Sequence, residues 1–358
     1  MRIVQIIDSL EIGGAERMAV NYANALGEKI EFSGLIATRS EGEMLNQISK
    51  KVSYLFLDKK RKIDFKAIFK LKKYLKQNKV NTIHAHSSSF FTAVLVKLVY
   101  PKIKVIWHDH YGPRIEQTKK DNIILIFCSL FFASIFVVNK QLKEWNMKNM
   151  KCKNVVFVPN FIQHNHSSEQ ITKLKGIEGK RIVFLANLKT PKNHIVILKS
   201  FFDLKLFDLG WSLHLIGKDY HDQYSQVLKD FIQKNNLVND VHLYGTRKDI
   251  RFILSQASIG VLASTFEGFP VTLIEYGESE LAVLCTNVGF CSDIIKDEER
   301  GLLFDPKNEF ELLAQFKRIT ADKNLRTEIA YKLKNLVQDY YTEDKAVEKI
   351  LTEYYKVK

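Results

Sequence analysis

Two carboxylates, Glu267 and Glu275, stand in one short stretch with seven residues between them. The run 257–262 before them is apolar and of strand length, and Pro270 suits the first position of a helix, where a missing N–H costs nothing. Strand, loop and helix follow in that order, with Glu267 in the loop and Glu275 inside the helix. A helix start offers unpaired N–H groups and the positive end of a macrodipole, which suits a phosphate. Near the N-terminus Gly13 and Gly14 precede a helix beginning near Ala15, so that backbone can approach a ligand closely. Their spacing is not GxGxxG, which counts against a nicotinamide site, and a plain tight turn is the other reading of the pair. Two histidine pairs, His84 with His86 and His108 with His110, close two strand-like runs. Such pairs could ligate a metal, but no cysteine or further carboxylate stands beside them at a familiar metal spacing.

Positioning these residues requires a particular succession of elements. Strand-like runs at 3–7, 32–37, 52–57, 82–85, 104–107, 134–138 and 155–158 alternate with helical patterns, which predicts a parallel sheet with helices on both faces. A polar segment, 163–180, interrupts the alternation and is expected to be a linker. A second series follows at 181–185, 211–216, 241–244, 257–262, 282–286 and 301–304. The reading is therefore α/β, with one Rossmann-like domain over 1–162, a second over 181–340 and a final helix over 341–358. Ligands of doubly wound sheets bind at the carboxyl ends of strands.

The run Glu267-Gly268-Phe269-Pro270-Val271-Thr272-Leu273-Ile274-Glu275 resembles the donor-site motif of the retaining family 4 glycosyltransferases. That resemblance implies the GT-B fold, two doubly wound Rossmann-like domains facing across a cleft, 1–162 on the acceptor side and 181–340 binding the nucleotide-sugar, with the last helix crossing back to the first domain. It also implies that Glu267 lies against the donor sugar, that Glu275 holds the nucleotide ribose, and that Ser264, Gly268, Phe269, Pro270 and Val271 line the donor. Gly13 and Gly14 belong to a run similar to the family's Gly-Gly-Ala-Glu-Arg element, which faces donor and acceptor. His110 aligns better than His108 with the histidine that contacts the donor sugar. Lys192 matches the lysine that neutralises the diphosphate, whereas Asn187 stands where the family commonly has Arg; Lys189 is the nearest substitute. The turn at Gly217 fits the same site, and Tyr244, Thr246 and Arg247 resemble the segment that reads the base. Glu280 and Ala282 depart from the family's frequent Gly and Pro.

By the same resemblance the reaction moves a sugar, with retention, from a UDP- or GDP-linked donor to a saccharide or lipid-linked acceptor. Glu267, Lys192 and His110 are its expected catalytic set. Neither a cofactor nor a metal is expected, the nucleotide-sugar being a substrate. A sugar-nucleotide epimerase and a non-catalytic nucleotide-binding module are the competing classes.

Length and composition fit two soluble domains: 358 residues, 46% hydrophobic and 26% charged. Cys128, Cys152, Cys285 and Cys291 show no CxxC spacing, so a reducing cytoplasm is expected. The N-terminal residues read as a first strand rather than a signal peptide. The most apolar run, 123–138, is shorter than the ~20 residues of a spanning helix and is expected to be a buried helix followed by a strand. Charge is one-sided: residues 1–160 hold 27 Lys+Arg against 13 Asp+Glu, while 161–358 hold 27 of each. The densest part, 51–79, includes Lys59-Lys60-Arg61-Lys62 and a helix with Lys66, Lys70 and Lys73 near one face and Phe65, Ile68, Phe69 and Leu75 available for the other. It predicts docking on an anionic inner membrane face rather than on nucleic acid, for which no recognition motif is present.

Overall fold

The computed structural model describes residues 1–162, 170–296 and 298–357, in two compact units: Met1–Gln163 with Thr342–Lys358, and His164–Tyr341. The first runs β1 (Arg2–Ser9), α1 (Gly14–Gly27), β2 (Phe32–Ser40), β3 (Ser53–Phe56), α2 (Phe65–Gln77), β4 (Thr82–His86), α3 (Phe90–Val99), β5 (Lys104–Asp109), α4 (Ile123–Cys128), β6 (Ser134–Val137), α5 (Lys140–Asn149) and β7 (Val155–Phe157). The second runs β8 (Arg181–Leu185), α6 (His194–Asp203), β9 (Ser212–Ile216), α7 (Gln223–Lys234), β10 (Val241–Gly245), α8 (Ile250–Ser255), β11 (Ile259–Leu262), α9 (Val271–Glu278), β12 (Ala282–Thr286), α10 (Cys291–Ile295), β13 (Leu302–Phe304), α11 (Glu309–Ala321) and α12 (Lys323–Tyr340). The chain closes with α13 (Glu343–Lys356), which lies in the first unit.

Each unit holds one parallel sheet, ordered β3-β2-β1-β4-β5-β6-β7 in the first and β10-β9-β8-β11-β12-β13 in the second. Sheets covered on both faces need strands apolar on both sides, and β6 and β12 are buried from end to end. Right-handed crossovers send α1 to one face of the first sheet and α2, α3, α4 and α5 to the other. Its α1 face is sealed by α13, whose Ala346, Val347, Ile350 and Tyr354 recur at helical spacing and share a core with Met18, Tyr22, Phe136 and Phe161. In the second unit Gly260 makes room for Tyr276: a Cβ there would stand 2.5 Å from the Tyr276 ring. The buried Tyr276 hydroxyl receives the Leu185 N–H at 2.9 Å and lies 3.0 Å from the Val261 carbonyl, which ties α9 to β8 and β11.

Several expectations change. Residues 170–180 are no free tether: the Asp249 carboxylate accepts the backbone N–H groups of Ile171 (3.0 Å) and Thr172 (2.6 Å), fastening the segment to the second unit. Residues 163–169 lie outside the described residues. Pro270 is the residue before α9, with Val271 first. Lys59 is buried rather than part of the solvated basic run, because its ammonium donates to Thr92 Oγ1 at 2.7 Å. On α2, Ala67, Ile68, Leu71 and Leu75 fill the inward stripe, so Phe65 and Phe69 fall on the exposed side among the lysines. The run 123–131 is not a buried helix: only Leu125, Cys128 and Ser129 turn inward, and Ile123, Ile124, Phe127 and Leu130 are exposed.

Candidate functional site

In an open α/β sheet the loops leaving two adjacent strands part at the point where strand order reverses, and a crevice opens there. In the second unit that point lies between β8 and β11. The loop after β8 carries Lys192 and the loop after β11 carries Ser264 and Glu267. Glu267 is nearly buried, and its Oε1 accepts from Lys192 Nζ at 2.6 Å and from Ser264 Oγ at 2.6 Å. Its Oε2 has no hydrogen-bond partner among the described residues. The two loops are stitched together by Thr265 N–H donating to the Pro191 carbonyl at 2.9 Å. Gly289 fits beneath: with φ at +56°, any Cβ would stand 1.7 Å from the Glu267 carbonyl oxygen. Nothing in the sequence reading singled that glycine out, because its constraint comes from a loop 22 positions away.

Asn187 does not take the place of a missing cation. Its Oδ1 accepts the Lys218 backbone N–H at 2.9 Å and so braces the loop after β9. Gly217 in that loop has φ at +154° and passes so close that a Cβ would lie 2.1 Å from the Ala186 carbonyl oxygen. Positive charge is nevertheless present, since the ammonium groups of Lys189 and Lys218 stand 5.7 Å and 5.5 Å from the Tyr220 ring centroid. Beyond Gly268, the nearly buried Phe269 stacks on Phe290 at 5.3 Å and leads through Pro270 into α9, where Glu275 is half-buried. After β10, Thr246 and Arg247 are exposed; the Tyr244 hydroxyl accepts the Lys175 N–H at 3.3 Å and lies 3.1 Å from His214 Nδ1, so its ring serves the sheet edge.

The first unit reverses between β1 and β4. Gly13 precedes α1 in extended backbone, where a Cβ would meet the Glu16 carboxylate, and Gly14 begins the helix in open space. Asp8 bridges the reversal, accepting from Ser88 Oγ at 2.7 Å and from the Thr38 hydroxyl. Asp8 is not legible as a site residue in the sequence, because its partners are Thr38 in β2 and Ser88 in the turn after β4.

Beside this point four histidines meet. His86 Nε2 lies 2.8 Å from Gln5 Oε1, and His86 Nδ1 lies 2.9 Å from His110 Nε2. Burial holds His84, His86 and His108 well below the usual imidazole range and lowers His110 to about 3, so all four are neutral at pH 7. With the Gln5 oxygen accepting, His86 carries its proton on Nε2 and His110 on its own Nε2, which leaves His110 Nδ1 a buried acceptor with no partner among the described residues. His84 bonds Tyr354 at 2.6 Å and His108 at 3.2 Å. Nitrogens of His84, His86 and His108 lie within 4.8 Å of one another, a spacing a metal could use. Most of those nitrogens are already hydrogen-bonded, those of His84 to Tyr354 and His108 and those of His86 to Gln5 and His110, while His108 Nε2 has no partner among the described residues. The loop bearing His110 is held by buried Asp109, which receives Arg114 Nε at 2.6 Å and Asn146 Nδ2 at 3.1 Å. Thus Asn187, Lys192, Gly217, Ser264, Glu267 and Gly268 gather in the second unit, while Gly13, Gly14 and His110 belong to the first.

Comparison with known proteins agrees with this architecture. The chain is 25% identical over 351 residues, 95% of its length and 94% of the relative's, to a GalNAc-alpha-(1->4)-GalNAc-alpha-(1->3)-diNAcBac-PP-undecaprenol alpha-1,4-N-acetyl-D-galactosaminyltransferase of Campylobacter jejuni. A UDP-Gal:alpha-D-GlcNAc-diphosphoundecaprenol alpha-1,3-galactosyltransferase of Escherichia coli is 23% identical over 306 residues, 80% of this chain and 78% of that one. The structure of Anabaena HepE in complex with UDP and glucose superposes with a TM-score of 0.82 at 13% identity, covering 99% of this chain and 100% of that one, which establishes the shared GT-B fold. Residues 12–166 match the family described as Glycosyltransferase Family 4 and residues 167–336 the family described as Glycosyl transferases group 1. Two sheets of this order, with these two families matching residues 12–336 between them, make the chain a member of the family 4 glycosyltransferases.

Proposed function

We propose that the protein transfers a sugar, with retention at the anomeric carbon, from a UDP- or GDP-linked donor to a hydroxyl of a lipid-linked saccharide in surface polysaccharide synthesis. The observation that carries this reading is the Ser264, Glu267 and Lys192 group at the strand-order reversal of the second unit. Breaking the sugar–phosphate bond leaves positive charge on the sugar and negative charge on the diphosphate. Lys192, with the first N–H groups of α9, supplies fixed positive charge for the departing diphosphate. Lys189 and Lys218 add charge where Asn187 replaces arginine. Glu267 holds Lys192 through one oxygen and keeps the other for a sugar hydroxyl. Glu275 takes the ribose, and His110 contacts a donor-sugar hydroxyl. Two relatives act on undecaprenol diphosphate-linked saccharides by name, which supports the acceptor class. With the charge excess of residues 1–160, it supports work at the inner face of the cell membrane.

Incubation with a panel of nucleotide-sugars and an undecaprenyl diphosphate-linked acceptor, with NMR of the anomeric centre in the product, tests the reading. An α-linked product from an α-linked donor is expected, with activity unchanged by EDTA. Donor converted without acceptor would instead indicate an epimerase, and nucleotide binding with no conversion a binding module.

A further inference from the structure

The helix α4 and the turn after it read Ile-Ile-Leu-Ile-Phe-Cys-Ser-Leu-Phe. A helix apolar on every side belongs in a core or in a membrane. Here one side is in the core. On the other, Ile123, Ile124, Phe127 and Leu130 are 68%, 61%, 64% and 59% exposed, at the spacing of a single helical stripe. Lys119 and Lys120 stand exposed just before the helix with Glu116 and Asp121 exposed beside them, so the cationic excess of this face comes from α2. On the same sheet face, α3 packs between α2 and α4 and presents exposed Leu98; α2 presents Phe65 and Phe69, 70% and 54% exposed, among Lys66, Lys70 and Lys73. Exposed apolar side chains on a face that also carries a lysine-rich helix suit an anionic bilayer, in which carbon meets the acyl boundary and ammonium groups meet phosphates. The core of a protein–protein interface is depleted of lysine.

We propose that the α2–α3–α4 face of the first unit is a bilayer-docking surface, with Ile123, Ile124, Phe127 and Leu130 inserted below the headgroups of anionic lipids. The inference rests on the proposed membrane-linked acceptor for its purpose, but its test needs neither donor nor acceptor. Vesicles of phosphatidylcholine with phosphatidylglycerol are mixed with Phe127→Trp protein. A blue shift of the added fluorescence and quenching by lipids brominated on the acyl chains are expected. The double variant Ile124→Ser/Phe127→Ser, altered only at exposed positions, should keep its unfolding transition and partition at least about tenfold more weakly. Raising salt to about 1 M, where the Debye length is near 3 Å, should weaken the wild type without restoring parity between the two. Unshifted emission from Phe127→Trp protein that nevertheless sediments with vesicles would overturn the proposal. So would concentration-dependent dimers that the double serine variant abolishes, since the stripe would then be a self-interface.

Discussion

The two units share a sheet type yet place their polar groups in opposite ways. At its strand-order reversal the second unit sets a cation and an anion in direct contact, Lys192 and Glu267, partly open to solvent. The first sets four neutral imidazoles beside its own reversal and keeps most of its lysines on the outside. The contrast follows from the work proposed for each. A departing diphosphate needs charge already fixed in place, because reorganising dipoles during the reaction costs rate. Hydroxyl groups are better met by neutral acceptors, which can be buried without a large desolvation penalty.

Removing the charged member should have the largest effect. Lys192→Ala is expected to lower kcat by about 10²–10³, as losing one preorganised stabilising group typically does. Binding of the free nucleoside should barely change; an equal loss there, measured calorimetrically, would remove the diphosphate role. Glu275→Ala should weaken nucleotide binding by roughly 1.5–3 kcal/mol, the worth of a hydrogen bond to a charged acceptor. Unaltered affinity in that variant would take the ribose away from Glu275.

Acid should test the neutral cluster. His110 falls from an ordinary 6.5 to about 3 on folding, so its contribution to stability is whole above pH 6.5 and is lost as pH drops towards 3. Between pH 6.5 and 5 that amounts to about 2 kcal/mol for one such group. His84, His86 and His108 shift in the same direction. In the second unit His194 and His214, also lowered to about 3, impose the same sign. Urea unfolding followed by NMR signals from each unit should show both weakening over this window. A first unit whose midpoint does not move would contradict the buried neutral cluster. The smallest expected change is from Gln5→Leu: His86 loses the oxygen that selects its tautomer, so His110 should populate both proton positions in imidazole ¹⁵N spectra, with a few-fold rise in donor KM. An unchanged His110 tautomer would show that Gln5 does not set it.

How far these features were legible in the linear chain depends on the range of the interaction behind each. Local periodicity carried the parallel α/β order, since strands buried on both faces must be apolar throughout, and short motifs pointed to Glu267, Glu275, Lys192 and the glycine pair. Lys192 and Glu267 were legible as candidates but not as partners; 75 positions separate them, and only the adjacency of β8 and β11 brings their side chains to 2.6 Å. The roles of Asp8 and Gly289 and the contact between His86 and His110 were not legible for the same reason: each depends on chain segments far away in sequence. The exposed stripe on α4 is the sharpest case. Composition marks 123–131 as apolar, and apolar residues are usually buried, but whether a side chain meets core or solvent depends on how many elements cover its helix. For α4 the fold covers one side only, leaving Ile123, Ile124, Phe127 and Leu130 outside.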